Sequence, residues 1–201
     1  MELPDDTDYT CTMQEASLDT DKNQTMTDRK IKVFRFDDIK DWYVKKAIPK
    51  VNPEPKSNDA LWITEQGSTF IEFKNGKIDS VMNCEIIEKI YDSLLILFDI
   101  SNILDGDRNI SYTREHMDYV LVYNPECIKT ETKQDQKGKD RQLQESTSRE
   151  IIGKLVNKRA NQSYIKFGLD KFRGYLFREV YTLSPGEFEK FVQKRVGGNG
   201  K

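Results

Sequence analysis

The chain reads as an α/β protein, a central mixed β-sheet flanked by helices with an α/β extension at its C-terminus. Three observations predict this. Short apolar runs at 31–36, 60–64, 69–74 and 119–123 have the period or residue types of strands. A long stretch of helical spacing, 79–103, stands between the third run and the fourth. A second portion, helix then hairpin then helix, follows from about residue 149.

Each element has a local reason. Residues 1–28 carry eight acids, one base and almost no large apolar side chain. Such a segment buries too little surface to balance its ordering entropy, so it is expected to be a disordered acidic tail. The single α/β domain then runs over 29–201, with a core at about 31–124. Ile31–Phe36 alternates with period two and predicts a strand. Asp37 or Asp38 can cap a helix to about Ile48, with Ile39, Trp42, Tyr43 and Lys46 at helical spacing. Pro49, Pro53 and Pro55 exclude regular structure up to about Lys56.

Ala60–Thr64 and Thr69–Lys74 form a hairpin around Glu65-Gln-Gly-Ser68, and Asn75-Gly76 ends its second strand. The helix from Asp79 or Ser80 to Ile103 is apolar on nearly every face in its second half, which predicts burial. Tyr119–Tyr123 is the next strand. Residues 129–148 are polar and lysine-rich, a basic loop. The extension over 149–195 then opens with a helix at Glu150–Lys158. Tyr164–Phe167 and Tyr175–Leu183 read as strands, and Ser184-Pro-Gly-Glu187 is a capping box for a last helix with Phe188, Phe191 and Val192 inside.

Composition excludes several function classes. The longest apolar run, Leu94–Phe98, is far short of the roughly 20 residues that span a bilayer, so no membrane association is expected. No basic start precedes an apolar stretch, so no secretory signal is read. Cys11, Cys84 and Cys127 are too scattered for a disulfide framework or a zinc site, which points to a reduced, cytoplasmic setting. A single histidine, His116, disfavours a Ser–His–Asp triad and reads as a surface residue before a strand. The net charge of −2 divides into −7 on residues 1–28 and +5 on the rest, which keeps an anionic partner open.

One cluster carries chemistry. Asp59 heads the first hairpin strand, and Glu72-Phe73-Lys74 ends the second. Side chains alternate along a strand, so Glu72 and Lys74 share a face and Phe73 takes the other. The hairpin returns Asp59 toward them. Two neighbouring carboxylates repel, and a divalent cation relieves that repulsion, because hard oxygen ligands suit Mg²⁺ or Mn²⁺. Acid-x-Lys occurs six times in the chain, where about four are expected from composition, so the triplet alone means little. Only the one at Glu72 lies in an apolar strand, after a strand opened by Asp and before a long helix. The plainer reading is a same-face ion pair on an edge strand, with Asp59 as a turn residue.

Asn58-Asp59, thirteen residues, then Glu72-Phe73-Lys74 and a helix resemble the PD-(D/E)xK phosphodiesterase superfamily, the restriction-endonuclease-like fold. The resemblance covers about residues 31–124. It departs from the pattern where Asn58 replaces the proline. Little room remains for a strand between the first helix and Asp59, and Val33–Phe36 can supply it from before the helix. The resemblance implies a restriction-endonuclease-like core and Mg²⁺-assisted hydrolysis of nucleic acid. It implies Asp59 and Glu72 as metal ligands with the Phe73 carbonyl, and Lys74 orienting water. The superfamily often adds an acid on the first helix, for which Asp38 and Asp41 are both candidates. Some members add polar residues on the next helix, where Glu85 and Lys89 stand one turn apart. The alternative is a catalytically inactive nuclease fold that binds nucleic acid or protein.

Residues 129–174 carry twelve bases and six acids. Lys154, Lys158, Arg159, Lys171 and Arg173, with aromatics interleaved, are the candidate nucleic-acid contacts, and a solvated surface would read the same way. DNA and RNA are equally compatible partners, and a dimer is compatible too. Cys84 and Cys127 read as small buried hydrophobes. Trp42 and Trp62 read as core or rim residues.

Overall fold

Among the described residues, six strands build one mixed sheet, and its two faces are covered by different helices. A computed structural model describes residues 9–103, 109–127 and 165–197. Its elements in chain order are β1 (Thr10–Thr12), α1 (Met13–Ala16), β2 (Leu18–Asp19), β3 (Gln24–Thr25), β4 (Lys32–Arg35), α2 (Phe36–Ala47), β5 (Ala60–Thr64) and β6 (Gly67–Lys74). These are followed by α3 (Ser80–Ile103), α4 (Ile110–His116), β7 (Met117–Tyr123), β8 (Glu179–Leu183) and α5 (Pro185–Gly197). The sheet order is β1-β4-β5-β6-β7-β8, and β2 pairs with β3 separately. The first three pairings of the large sheet are antiparallel, and β6–β7 and β7–β8 are parallel. The switch falls at β6, where α3 carries the chain across to β7.

Period-two alternation sorts the core. Leu61, Phe70, Tyr119 and Leu121 face α2 and α3, where they meet Phe36, Val44, Ile86, Ile90 and Leu94. Ala60, Trp62, Ile71, Phe73, Val120 and Val122 face α5 and the N-terminal segment, where they meet Phe188, Val192, Met13 and Met26. On α3, Ile86, Ile90, Leu94 and Leu97 recur every three or four residues and are almost wholly buried. Each such side chain contributes roughly 2 kcal/mol of burial. The hairpin turn is tighter than expected, with only Glu65 and Gln66 between the paired Thr64 and Gly67. Gly67 has φ +124°, and a Cβ there would lie 2.2 Å from the His116 carbonyl oxygen, so only glycine fits.

Several expectations are corrected. Residues 9–28 are not a disordered tail. β1 extends the sheet by pairing with β4, and Met13 and Met26 enter the core. Thr12 and Glu15 form a reciprocal capping box at α1, so edge hydrogen bonds and two anchors do what bulk hydrophobicity does elsewhere. Residues 1–8 lie outside the described residues. On α2 the N-cap is Arg35, without a side-chain cap, and Asp37 and Asp38 fall in the first turn, where their charge suits the positive helix end. Residues 165–167 are not a strand, and a 3₁₀ turn follows at Leu169–Phe172. The strand expected from Tyr175 starts only at Glu179. Cys84 is exposed rather than buried, as is Leu95 in the apolar half of α3. The Ser184–Glu187 box is present, with the Glu187 carboxylate accepting from the Ser184 backbone N–H and hydroxyl. The basic loop 129–148 and the helix read at 150–158 lie outside the described residues.

Candidate active site

Register places the first carboxylate. Ala60 pairs with Ile71, so Asp59, one residue earlier, comes opposite Glu72 on the α2/α3 face. Two bonds hold it there. The Phe36 N–H donates to the Asp59 carbonyl at 3.1 Å, tying it to the start of α2. The Phe73 N–H donates to Asp59 Oδ2 at 2.6 Å. A strand residue's N–H and C=O leave on the same edge, so the Phe73 carbonyl leaves β6 on the Asp59 side. The ring of Phe73 lies on the opposite face, edge-on to Phe188.

Glu72 is fully buried, and its Oε1 receives two ammonium groups. Lys74, two residues along the same face, lies 3.1 Å away. Lys89 reaches in from α3 at 2.8 Å and also contacts Asp59 Oδ1 at 3.2 Å. One helical turn beyond Lys89, the buried Ser93 accepts the Asn58 N–H at 2.9 Å. The Lys89–Ser93 row of α3 therefore docks on the residues that open β5. Among the described residues, neither Glu72 Oε2 nor the Tyr119 hydroxyl, both buried, has a hydrogen-bond partner.

Burial, and then the negative charge of Glu72, push the Asp59 carboxyl up to about 7, against the opposing pull of Lys89, the Phe73 N–H and Lys74. Burial would lower Lys89, but the Glu72 and Asp59 carboxylates outweigh it and its ammonium is held above the ordinary range. Burial raises the Tyr119 phenol well above its usual value, and the charges of Glu72 and Asp59 add to this. Asp37 sits exposed at the rim, where desolvation raises it, the Ser57 hydroxyl lowers it and Asp59 raises it further.

The structure thus brings Asp59, Glu72, the Phe73 backbone, Lys74 and Lys89 together, and it leaves other candidates outside. Asp38 is 3.9 Å from Arg35, and Asp41 pairs with its neighbour Lys40 on the surface. The acid of α2 that faces the cluster is Asp37. Glu85 points away and lies 3.7 Å from Lys56. Lys171 is exposed beside the Phe172 ring. Arg173 pairs with Glu179, whose register partner Asp118 lies at the end of the sheet away from Asp59. Lys154, Lys158 and Arg159 lie outside the described residues.

Asp37 could have been singled out by helix arithmetic, and Lys89, a candidate from the resemblance, has support from the same source. The buried face of α2 runs through Phe36, Tyr43 and Val44, which puts Asp37 at its margin and Asp38 nearly opposite. The stripe of Ile39, Trp42, Tyr43 and Lys46 points elsewhere. Lys89 is flanked by the buried Ile86, Ile90 and Ser93, a place where a lysine requires partners.

Asp59, Phe73 and Lys74 line a cleft of about 570 Å³ whose opposite wall is the N-terminal segment from Glu15 to Lys22. Lys22 fastens that wall by donating to the Asn75 carbonyl at 2.5 Å. Two carboxylates and a backbone carbonyl are hard oxygen donors, and the orphaned Glu72 Oε2 has a free lone pair in a buried place, so these residues fit Mg²⁺ or Mn²⁺. Among the described residues, no group of three or more acidic, histidine or cysteine side chains has metal-ligand spacing. No helix among them is long and apolar enough to cross a membrane. No family model, curated protein or solved structure matches the chain.

Proposed function

We propose that this chain is a metal-dependent nuclease of the PD-(D/E)xK type that hydrolyses phosphodiester bonds of DNA or RNA. One observation carries the reading: the carboxylates of Asp59 and Glu72 and the amine of Lys74 converge on one face, with Asp59 and Lys74 lining a cleft and Glu72 buried behind them. The layout supports it. A helix precedes the hairpin, α3 follows it, and β4, from before α2, pairs antiparallel with β5 where a third strand is needed.

Asp59, Glu72 and the Phe73 carbonyl would hold Mg²⁺. When bound, the ion supplies positive charge at the scissile phosphate and makes water more acidic. Lys74, one-fifth exposed, orients the attacking water and donates to the phosphoryl oxygens as their charge grows. The Phe73 N–H keeps Asp59 aimed into the cleft. Tyr119 and the apolar side chains of β7 keep bulk water away from Glu72.

A second reading has its own observation. With Asp59 ionised the four charges balance, two carboxylates against two ammoniums, which suits a catalytically idle nuclease fold that binds nucleic acid or protein. One experiment separates the two. Labelled single- and double-stranded DNA and RNA are incubated with the protein and Mg²⁺ or Mn²⁺, beside Lys74→Ala and an EDTA control. Cleavage that needs the metal and is lost in Lys74→Ala, with circular dichroism unchanged, is the expected result. Cleavage untouched in Lys74→Ala removes Lys74 from the mechanism, and no cleavage of any substrate favours the idle fold.

A further inference from the structure

The candidate site already contains a cation. Lys89 Nζ touches Asp59 at 3.2 Å and Glu72 at 2.8 Å, bridging the two carboxylates that would hold a metal. Lys74 brings a second positive charge to the same Glu72 oxygen. All four side chains are four-fifths or more buried. A dication added to this balanced quartet would leave two uncompensated positive charges in a poorly hydrated place, which is strongly unfavourable. Something must leave when it arrives.

We propose that Lys89 is a built-in counter-cation of the Asp59–Glu72 pair, and that a divalent ion binds by displacing its ammonium onto Asp37. This rests on the metal-site reading above. Lys89 is the group that can move. It enters on a flexible four-carbon stem from a separate helix, whereas Lys74 is fixed by the strand it shares with Glu72. Glu72 and Asp59 lie at ion-pair distance from its ammonium, and Asp37 is the third acid whose charge acts on it. Asp37 stands on α2 at the cleft rim, exposed, accepting from the Ser57 hydroxyl and, among the described residues, without an ammonium at ion-pair distance. The acids of α3 around Lys89 are engaged with Lys56, Glu85 and Glu88 with its ammonium and Asp92 with its N–H, and are not destinations. Once Lys89 has swung to Asp37, the two carboxylates balance the dication. Glu72 Oε2, which lacks a partner, becomes a ligand. Lys74 keeps its charge for a phosphate. The displaced ammonium ends at the rim of the same cleft, where an anionic backbone would meet it. Metal and phosphate should therefore bind cooperatively.

The test is Mn²⁺ titration of the full chain by electron paramagnetic resonance, without substrate, for wild type, Lys89→Gln and Asp37→Asn. Lys89→Gln should bind Mn²⁺ at least about tenfold more tightly, and Asp37→Asn more weakly. Unchanged or weaker binding by Lys89→Gln overturns the displacement. Unchanged binding by Asp37→Asn overturns Asp37 as the destination. If neither wild type nor Lys89→Gln binds Mn²⁺, the metal-site reading fails and this inference with it. Should Lys89→Gln not fold, the side-chain ammonium resonance of Lys89 in the wild-type protein decides. A shift on saturation with Mg²⁺ is expected, and an unmoved resonance refutes the displacement.

Discussion

Replacing Asp59 by Asn isolates the electrostatic strain built into the hairpin. In the folded protein the carboxyl titrates at about 7, against an ordinary value of 3.8. The folded state therefore holds this proton more tightly than the unfolded chain does. The stability that protonation contributes is complete below pH 3.8 and is lost as pH rises to about 7. Each pH unit within that window is worth about 1.4 kcal/mol. Between pH 5 and pH 7 the metal-free wild type should lose roughly 2.5 kcal/mol through this group, and Asp59→Asn should lose none of it. Urea unfolding followed by tryptophan fluorescence in EDTA, at both pH values and for both proteins, measures the difference of differences. Groups that do not interact with Asp59 cancel in that comparison. Parallel pH dependences in the two proteins would show that Asp59 is neither buried beside Glu72 nor perturbed by it, and the account of the cluster would fail.

Two further substitutions probe the frame around the site. Met13→Ala removes a fully buried side chain of the N-terminal segment and should cost about 2–4 kcal/mol by chemical denaturation, whereas a cost near zero would mean that this segment does not pack on the sheet. Gly67→Ala should lower the melting temperature by an amount equivalent to about 2–4 kcal/mol, because the new methyl group meets the His116 carbonyl and φ is +124°. An unchanged melting temperature would contradict the tight turn.

Much of the frame was legible because strands and helices announce themselves by period. Alternation puts Glu72 and Lys74 on one face and Phe73 on the other, and the contacts of Lys74 and of the Phe73 ring follow that rule. The long helix at 80–103 was legible from its spacing. The N-terminal segment was not, since its order comes from backbone pairing with β4 and two methionine anchors rather than from an apolar stripe. One local signal was there to read, the Thr12-x-x-Glu15 capping box. Asp37 was passed over because the apolar stripe of α2 is broad. Ile39 and Trp42 are only half-buried, while Phe36 and Val44 set the inner face. Helix α4 has its own cap, Asn109, whose side chain accepts from the N–H groups of Ser111 and Tyr112, a polar signal without an apolar run behind it. Lys89 was legible as a helix residue of the right neighbourhood. That it would bridge both carboxylates depends on how α3 lies across the hairpin, which no local pattern encodes.

A crystal structure of the full chain grown with Mn²⁺, with the ion located by its anomalous signal, tests the central claim most directly. One ion is expected, held by Asp59, Glu72 Oε2 and the Phe73 carbonyl, with the Lys89 ammonium withdrawn toward Asp37. A map at saturating Mn²⁺ with no anomalous peak there, and Lys89 still bridging the two carboxylates, would contradict it.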